Sequence, residues 1–253
     1  LGVDDVVDGR ALDLPIVAAR VFDEREPNRV WAQKMWRWAC ATGATHLAQF
    51  QDDVFTCVRP WSKITAMVEA VPDQIIGLEQ AHPMGPELAH KGHRWCRTRA
   101  WLIGPAYLFP LDPALPNGLP TFLKWCDANP ERVAAENEDT LVNRWAVEAG
   151  VDIWHPIPTC ADHDTSVPST YGNEAHSHRR PTVTWRGYPD GDLESAEYWR
   201  PPVEPNPVRL VDPYTNLCWY CVREAGAVAA AETGARIGKA CLQQIFAAMV
   251  TRL

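Results

Sequence analysis

The chain contains no run of about eighteen consecutive apolar residues, so its sequence offers no candidate for a membrane-spanning helix. Its first residues carry no basic-then-apolar leader pattern. Its eight cysteines, at 40, 57, 96, 126, 160, 218, 221 and 241, lack the spacing of a disulfide scaffold. Most lie in apolar segments and read as buried free thiols, which suits a reducing compartment. Positive charge is also short. Against 32 Asp and Glu there are 24 Lys and Arg, a net charge of −8, which argues against binding nucleic acid over the whole surface but leaves room for a local basic groove. No internal repeat is present. These absences point to a soluble cytoplasmic protein, and Leu1 in place of Met points to a chain that starts inside a longer one.

What is present is enough for a sizeable core. The 253 residues, 46% of them hydrophobic, can build one large α/β domain or two small ones. Twelve Trp is a high count. Aromatic faces suit sugar rings and bases, although packing in a core is the plainer reading of any single Trp.

Along the chain, "LPIVAARVFDE" (14–24) reads as a strand and "EPNRVWAQKMWRWACATG" as a helix. Asn28 is its candidate N-cap, Trp31, Met35 and Trp38 its apolar stripe, and Gly43 its stop. "THLAQFQDD" is the next strand, 61–71 a helix, and "QIIGLEQ" a short buried strand. This alternation predicts an α/β sheet, mixed but mostly parallel, flanked by helices. "RTRAWLIGPAYLFP" (97–110) reads as a strand broken at Gly104-Pro105, and "LPTFLKWCDAN" as a short helix. "NEDTLVNRWAVEAG" reads as a longer one, with Leu141, Trp145 and Ala149 on one stripe and Gly150 as its C-cap. "VDIWHPIP" is a strand. Five Pro between 201 and 213 mark a linker or extended arm. Three parts are expected: a main domain over 1–200, the linker 201–213, and a small helical or finger-like module over 214–253.

The chemistry gathers around "FQDDVF". Asp52 and Asp53 end a strand, and in open α/β sheets ligands sit at the carboxyl ends of strands. Burying such a pair costs several kcal/mol or more without a counter-charge. Two adjacent carboxylates there can hold Mg²⁺ or Mn²⁺ through oxygen, with waters and substrate phosphates completing the shell. Read alone, the pair is explained as well by acids turned out to water. Glu136, Glu138 and Asp139 stand at a helix start, where the dipole favours acids and where a carboxylate is also well placed as a general base. "WHPIPTCADHD" then supplies His155, Asp162 and His163, either satisfied in the fold or offering a nitrogen to a metal. Gly104, with no Cβ, lets a substrate lie against the backbone. "HSHRRPTVTWRGY" (176–188) sets Arg179 and Arg180 beside His and Trp, a solvated loop or one that closes over a diphosphate or grips a DNA backbone. "CWYC" and "GKAC" nearly make paired C-x₂-C motifs, but Gly238 replaces one ligand. Cys218, Cys221 and Cys241 would need His176 or His178 to complete a structural Zn²⁺ site, and plain buried thiols are the simpler reading.

In that order, "QDD", "WLIGPAYLFP", "NED" and "WHPIPTCADH" resemble the GT-A glycosyltransferases, a Rossmann-related fold. More narrowly, residues 14–185 are similar to the bacteriophage glycosyltransferases encoded beside DNA-hypermodification genes, including those that accompany TET-type dioxygenases. The resemblance implies that Asp52 and Asp53 hold the metal and donor diphosphate, with Asp53 the direct ligand, and that Gly104 lies beside donor and acceptor. It implies Asp139, preceded by Glu138, as the base of an inverting transfer, and His163, supported by Asp162, as the second metal ligand. Arg179 and Arg180 would face the donor. The implied cofactors are Mn²⁺ or Mg²⁺ and a nucleotide sugar. The implied acceptor is a 5-hydroxymethylpyrimidine in phage DNA, most naturally 5-hydroxymethylcytosine. A protein or glycan acceptor, a nucleotide-sugar-binding module without turnover, and a metal-dependent hydrolase are the alternatives. One departure stands out: the family's first strand has no clear counterpart before "IVAARVFDE", and residues 1–13 occupy the place of its remnant.

Overall fold

"AYLFP" is five residues with no polar side chain for solvent except a Tyr hydroxyl, and a strand of that kind belongs inside a sheet covered on both faces. The computed structural model bears this out. It describes residues 28–51, 54–79, 85–99, 106–136, 138–163, 183–186, 191–202 and 207–211. In chain order they form α1 (Asn28–Cys40), β1 (His46–Phe50), β2 (Val54–Thr56), α2 (Pro60–Ala70), β3 (Ile75–Gly77), α3 (Gly85–His90), β4 (Trp95–Arg99) and β5 (Ala106–Pro110). Then follow α4 (Leu119–Ala128), α5 (Pro130–Ala135), α6 (Glu138–Ala149), β6 (Ile153–Pro156), β7 (Ala161–His163), two 3₁₀ turns (Gly191–Glu194 and Ala196–Trp199) and β8 (Val208–Val211). The chain divides into two compact units, 1–210 and 211–253. Apart from Val211, the described residues all belong to the first.

Six strands form one sheet in the order β1-β5-β3-β6-β4-β8, and β2 pairs with β7 in a separate ribbon. The expectation of a mixed α/β sheet holds, but its parallel component is narrower than expected. β3 and β6 run parallel, while β1–β5, β3–β5 and β4–β6 are antiparallel. The segment read as one broken strand over 97–110 is in fact two, β4 and β5, at different places in the sheet.

Alternation along the central strands divides the core in two. Ile75, Tyr107, Phe109 and Ile153 face a layer built by α1, α4 and α6. Ile76, Ala106, Leu108 and Trp154 face the opposite layer, with Met67 of α2 and Trp199. In the first layer Phe122 lies 5.2 Å from both Trp36 and Trp145, centroid to centroid. Each such aromatic contributes about 2–3 kcal/mol by leaving water. Trp36, Trp95, Trp145 and Trp199 are all fully buried, so much of the unusual Trp content is core. Cys57, Cys96, Cys126 and Cys160 are buried free thiols, with Cys40 half-buried, as the spacing suggested. Burial pushes the Cys126 thiol up to about 12, which makes it a poor nucleophile.

Two helix faces differ from expectation. In α1 the buried stripe is Ala32, Trp36 and Ala39, one residue on from the predicted one, and Met35 only packs against its margin. In α6 the buried face is Leu141, Val142, Trp145 and Ala146, and Ala149 is exposed. Both helices stop where expected: Gly43 (φ 76°) and Gly150 (φ 70°) adopt the left-handed conformation that glycine alone enters without strain. The proline-rich stretch 201–213 holds β8 at the sheet's edge. Asp152 anchors it, accepting from Arg209 Nε (2.7 Å) and from Arg99 Nε of β4 (3.0 Å). The expected strand 14–24, Gly104, Arg179, Arg180 and the cysteines 218, 221 and 241 lie outside the described residues. Among the described residues, no helix is long and apolar enough to cross a membrane.

Candidate active site

The pairing directions place β1, β3 and β6 in one sense and β4 and β5 in the other. One edge of the sheet therefore collects the carboxyl ends of β1, β3 and β6 together with the first residue of β5. Gln51 follows β1 at this edge and leads to Asp52 and Asp53. Ala106 opens β5 opposite Phe50, at the same edge. Asp52, Asp53 and the segment 100–105 are outside the described residues.

Two contacts bring the other motifs to that edge. Gln51 Nε2 donates to Glu138 Oε1 at 3.1 Å, joining the residue before the acid pair to the start of α6. In the β2–β7 ribbon Val54 pairs with His163 and Phe55 with Asp162, so the residue after Asp53 stands across from His163. The ribbon is tied down by Cys57 N–H donating to the Cys160 carbonyl (2.9 Å), and by Cys160 and Ala161 N–H both donating to the carbonyl of Leu78 beyond β3 (3.1 Å each). The residue before Asp52 thus touches the α6 start, and the residue after Asp53 pairs with His163. The side chain of His163 is not among those described. A carboxylate oxygen with an imidazole nitrogen is a donor set that takes divalent first-row ions such as Mn²⁺.

The acids at the α6 start differ in environment. Glu136 is buried and neutralised by Arg144, which reaches it through Nε (2.9 Å) and a terminal nitrogen (2.7 Å), so its role is structural. Glu138 is only 9% exposed, and burial raises its pKa above the usual carboxylate range. Its own backbone N–H opposes that rise, the charge of Asp139 adds to it, and the Gln51 bond opposes it. Asp139 is half-buried, and its Oδ1 accepts from the Thr140 N–H (2.7 Å) and hydroxyl (3.3 Å). Tyr107, buried in β5, has its phenol pushed well up by burial and then by the Glu138 charge. The sequence reading overlooked Gln51; its place beside two acids at a strand end was the available signal.

The raised pKa of Glu138 gives a prediction with a definite sign. A carboxyl whose folded pKa lies above its unfolded value binds more protons when folded, so stability falls as pH rises through that interval. Glu138→Gln removes this titration, and the substituted amide still accepts from Gln51. The variant should melt a few degrees higher than the parent at pH 7, with the advantage gone below about pH 4. Thermal melts at a series of pH values read this directly, and a constant difference at all pH values would contradict it.

His155, one of the sequence candidates, is not at the site. It is fully buried in β6, with Nδ1 3.2 Å from the Glu79 carbonyl and Nε2 2.9 Å from Thr98 Oγ1. A carbonyl only accepts, so Nδ1 carries the proton and Nε2 accepts from Thr98. Both nitrogens are engaged, so of the two alternatives the sequence left open for His155, the structure shows the satisfied one. Comparisons with protein families, curated proteins and solved structures found no match to this chain.

Proposed function

We propose that the chain is a metal-dependent glycosyltransferase of GT-A type that moves a sugar, with inversion, from a nucleotide-sugar donor to an acceptor hydroxyl. The observation that supports this reading is that the residue before the Asp52–Asp53 pair bonds Glu138 at the α6 start and the residue after it pairs with His163. In this mechanism Asp139 takes the proton from the acceptor hydroxyl. The resulting oxygen attacks the anomeric carbon, and the bond from that carbon to the diphosphate oxygen breaks. Gln51 and Glu138 hold the acidic helix start against the strand end that carries Asp52 and Asp53. Bound Mn²⁺ or Mg²⁺, with Asp53 and His163 as ligands, would offset the charge of the departing nucleoside diphosphate. Arg179 and Arg180 would add positive charge on the donor side.

The acceptor that best fits the resemblance is a 5-hydroxymethylpyrimidine in phage DNA, modified in the cytoplasm of the bacterial host. A target within duplex DNA would be flipped out for reaction. The net charge of −8 is the observation that favours the second reading, a protein or glycan acceptor. The test incubates the protein with Mn²⁺, mixed nucleotide sugars and hydroxymethylated DNA, then digests the DNA to nucleosides for mass spectrometry. A hexose or pentose increment on the modified base is expected. Sugar transfer to protein alone would move the acceptor to the second reading. Nucleotide-sugar binding without transfer to any acceptor would leave a binding module, and donor breakdown without an acceptor would point to a hydrolase.

A further inference from the structure

Residues 183–186 are short and flanked by segments outside the described residues, yet the backbone holds them in place. Thr159 N–H donates to the Val183 carbonyl (2.9 Å), and Trp185 N–H donates to the Thr159 carbonyl (3.2 Å). Thr159 and Thr184 form a parallel bridge two residues before β7. Arg186 is thereby set beside the β2–β7 ribbon. Its guanidinium carbon lies 4.5 Å from the centre of the Phe55 ring and 5.1 Å from that of Trp185, over the face of each. Phe55 is 41% exposed, an unusual position for a large apolar side chain on a short strand. It stands two residues after Asp53.

We propose that Arg186, stacked on Phe55 and Trp185, is a phosphate-binding side chain beside the candidate active site. Stacking on aromatic faces fixes the plane of a guanidinium and leaves its in-plane N–H groups at the rim, where they match phosphate oxygens two at a time. Among the described residues, no carboxylate forms an ion pair with Arg186. In a chain of net charge −8, an exposed arginine oriented by two rings and without a carboxylate partner among the described residues is a cation available to a ligand. The same chemistry serves two sources of phosphate, the diphosphate of a donor and the backbone of an acceptor strand. This inference rests on the glycosyltransferase reading for its setting, but its measurement needs no turnover.

The full chain is titrated in two arms, one with nucleoside diphosphates and Mn²⁺, the other with a fluorescent single-stranded oligonucleotide over a range of salt. Arg186→Ala should weaken binding roughly tenfold in one arm with an unchanged melting curve. If that arm is the oligonucleotide, the slope of log K against log salt should also become shallower by about 0.7. Phe55→Leu, which keeps the charge and removes one ring, should lose part of the same affinity. The arm affected identifies the phosphate. Equal binding by parent and Arg186→Ala in both arms, or no binding by the parent in either, overturns the proposal. If sugar transfer fails with every donor while oligonucleotide binding still depends on Arg186, the glycosyltransferase reading falls and the phosphate site stands.

Discussion

On the proposed glycosyltransferase reading, Asp139→Asn should lower the rate of sugar transfer by about 10²–10⁴ while leaving donor binding intact, the range expected when a positioned general base is removed. The choice of Asp139 over its neighbours follows from what each acid is doing. Glu136 is held by Arg144, and Glu138 is buried against Gln51 with its charged form disfavoured. Asp139 is the one of the three that is half-buried rather than buried. The first turn of α6 holds its carboxylate through the Thr140 N–H. Asparagine can still accept that hydrogen bond through its amide oxygen, but it cannot take a proton. The helix start should survive the change while the chemistry does not. Asp53→Ala should act on the other step, removing metal-dependent donor binding itself. Calorimetry with donor and Mn²⁺, beside a single-turnover assay, separates the two variants. Transfer by Asp139→Asn at the parent rate would show that the base is another group.

Legibility in the sequence followed the physics of each element. Gly43 and Gly150 were readable as helix ends because a left-handed residue after a helix is a local requirement, met by one residue type. The buried face of α1 was not, because apolar residues at 31, 32, 35, 36, 38 and 39 make two overlapping stripes of the same period. What decides between them lies outside the helix: Trp36 is buried because its Nε1–H finds Gln49 Oε1 of β1 at 2.7 Å. The motifs of the candidate site were visible as isolated words, but their meeting was not. It depends on the β2–β7 register and on one glutamine side chain, both contacts between residues far apart in the chain. Arg179 and Arg180 were the visible cations of their loop, whereas Arg186 gains its interest only from Phe55, over a hundred residues earlier.

Gly77 shows a constraint of the same long-range kind, and its substitution should be among the most damaging to the fold. It ends β3 beside β6, and a Cβ built on it would lie 2.5 Å from His155 Cε1 and 2.6 Å from Nδ1. The ring cannot slide aside cheaply, because Thr98 and the Glu79 carbonyl hold its two nitrogens. Gly77→Ala must therefore spread the β3–β6 pair or break those bonds. A cost of about 2–4 kcal/mol is expected from overpacking and a weakened hydrogen bond. In a chain of this size that is a fall in Tm of roughly 5–15 °C. His155→Ala alone should cost about as much, by leaving a cavity and removing a partner from Thr98. In the double variant the new methyl has no ring to meet, so the cost should approach that of His155→Ala alone. The coupling between the two sites should then reach about 2 kcal/mol, well beyond what independent sites give. Simple additivity in denaturant or thermal unfolding would mean that the ring is not what excludes a side chain at 77. The consequence reaches the candidate site as well. The Leu78 carbonyl, one residue past Gly77, receives the Cys160 and Ala161 N–H groups that hold the β2–β7 ribbon. A shift of β3 would carry His163 with it, so Gly77→Ala should weaken metal-dependent donor binding even at temperatures where the fold persists.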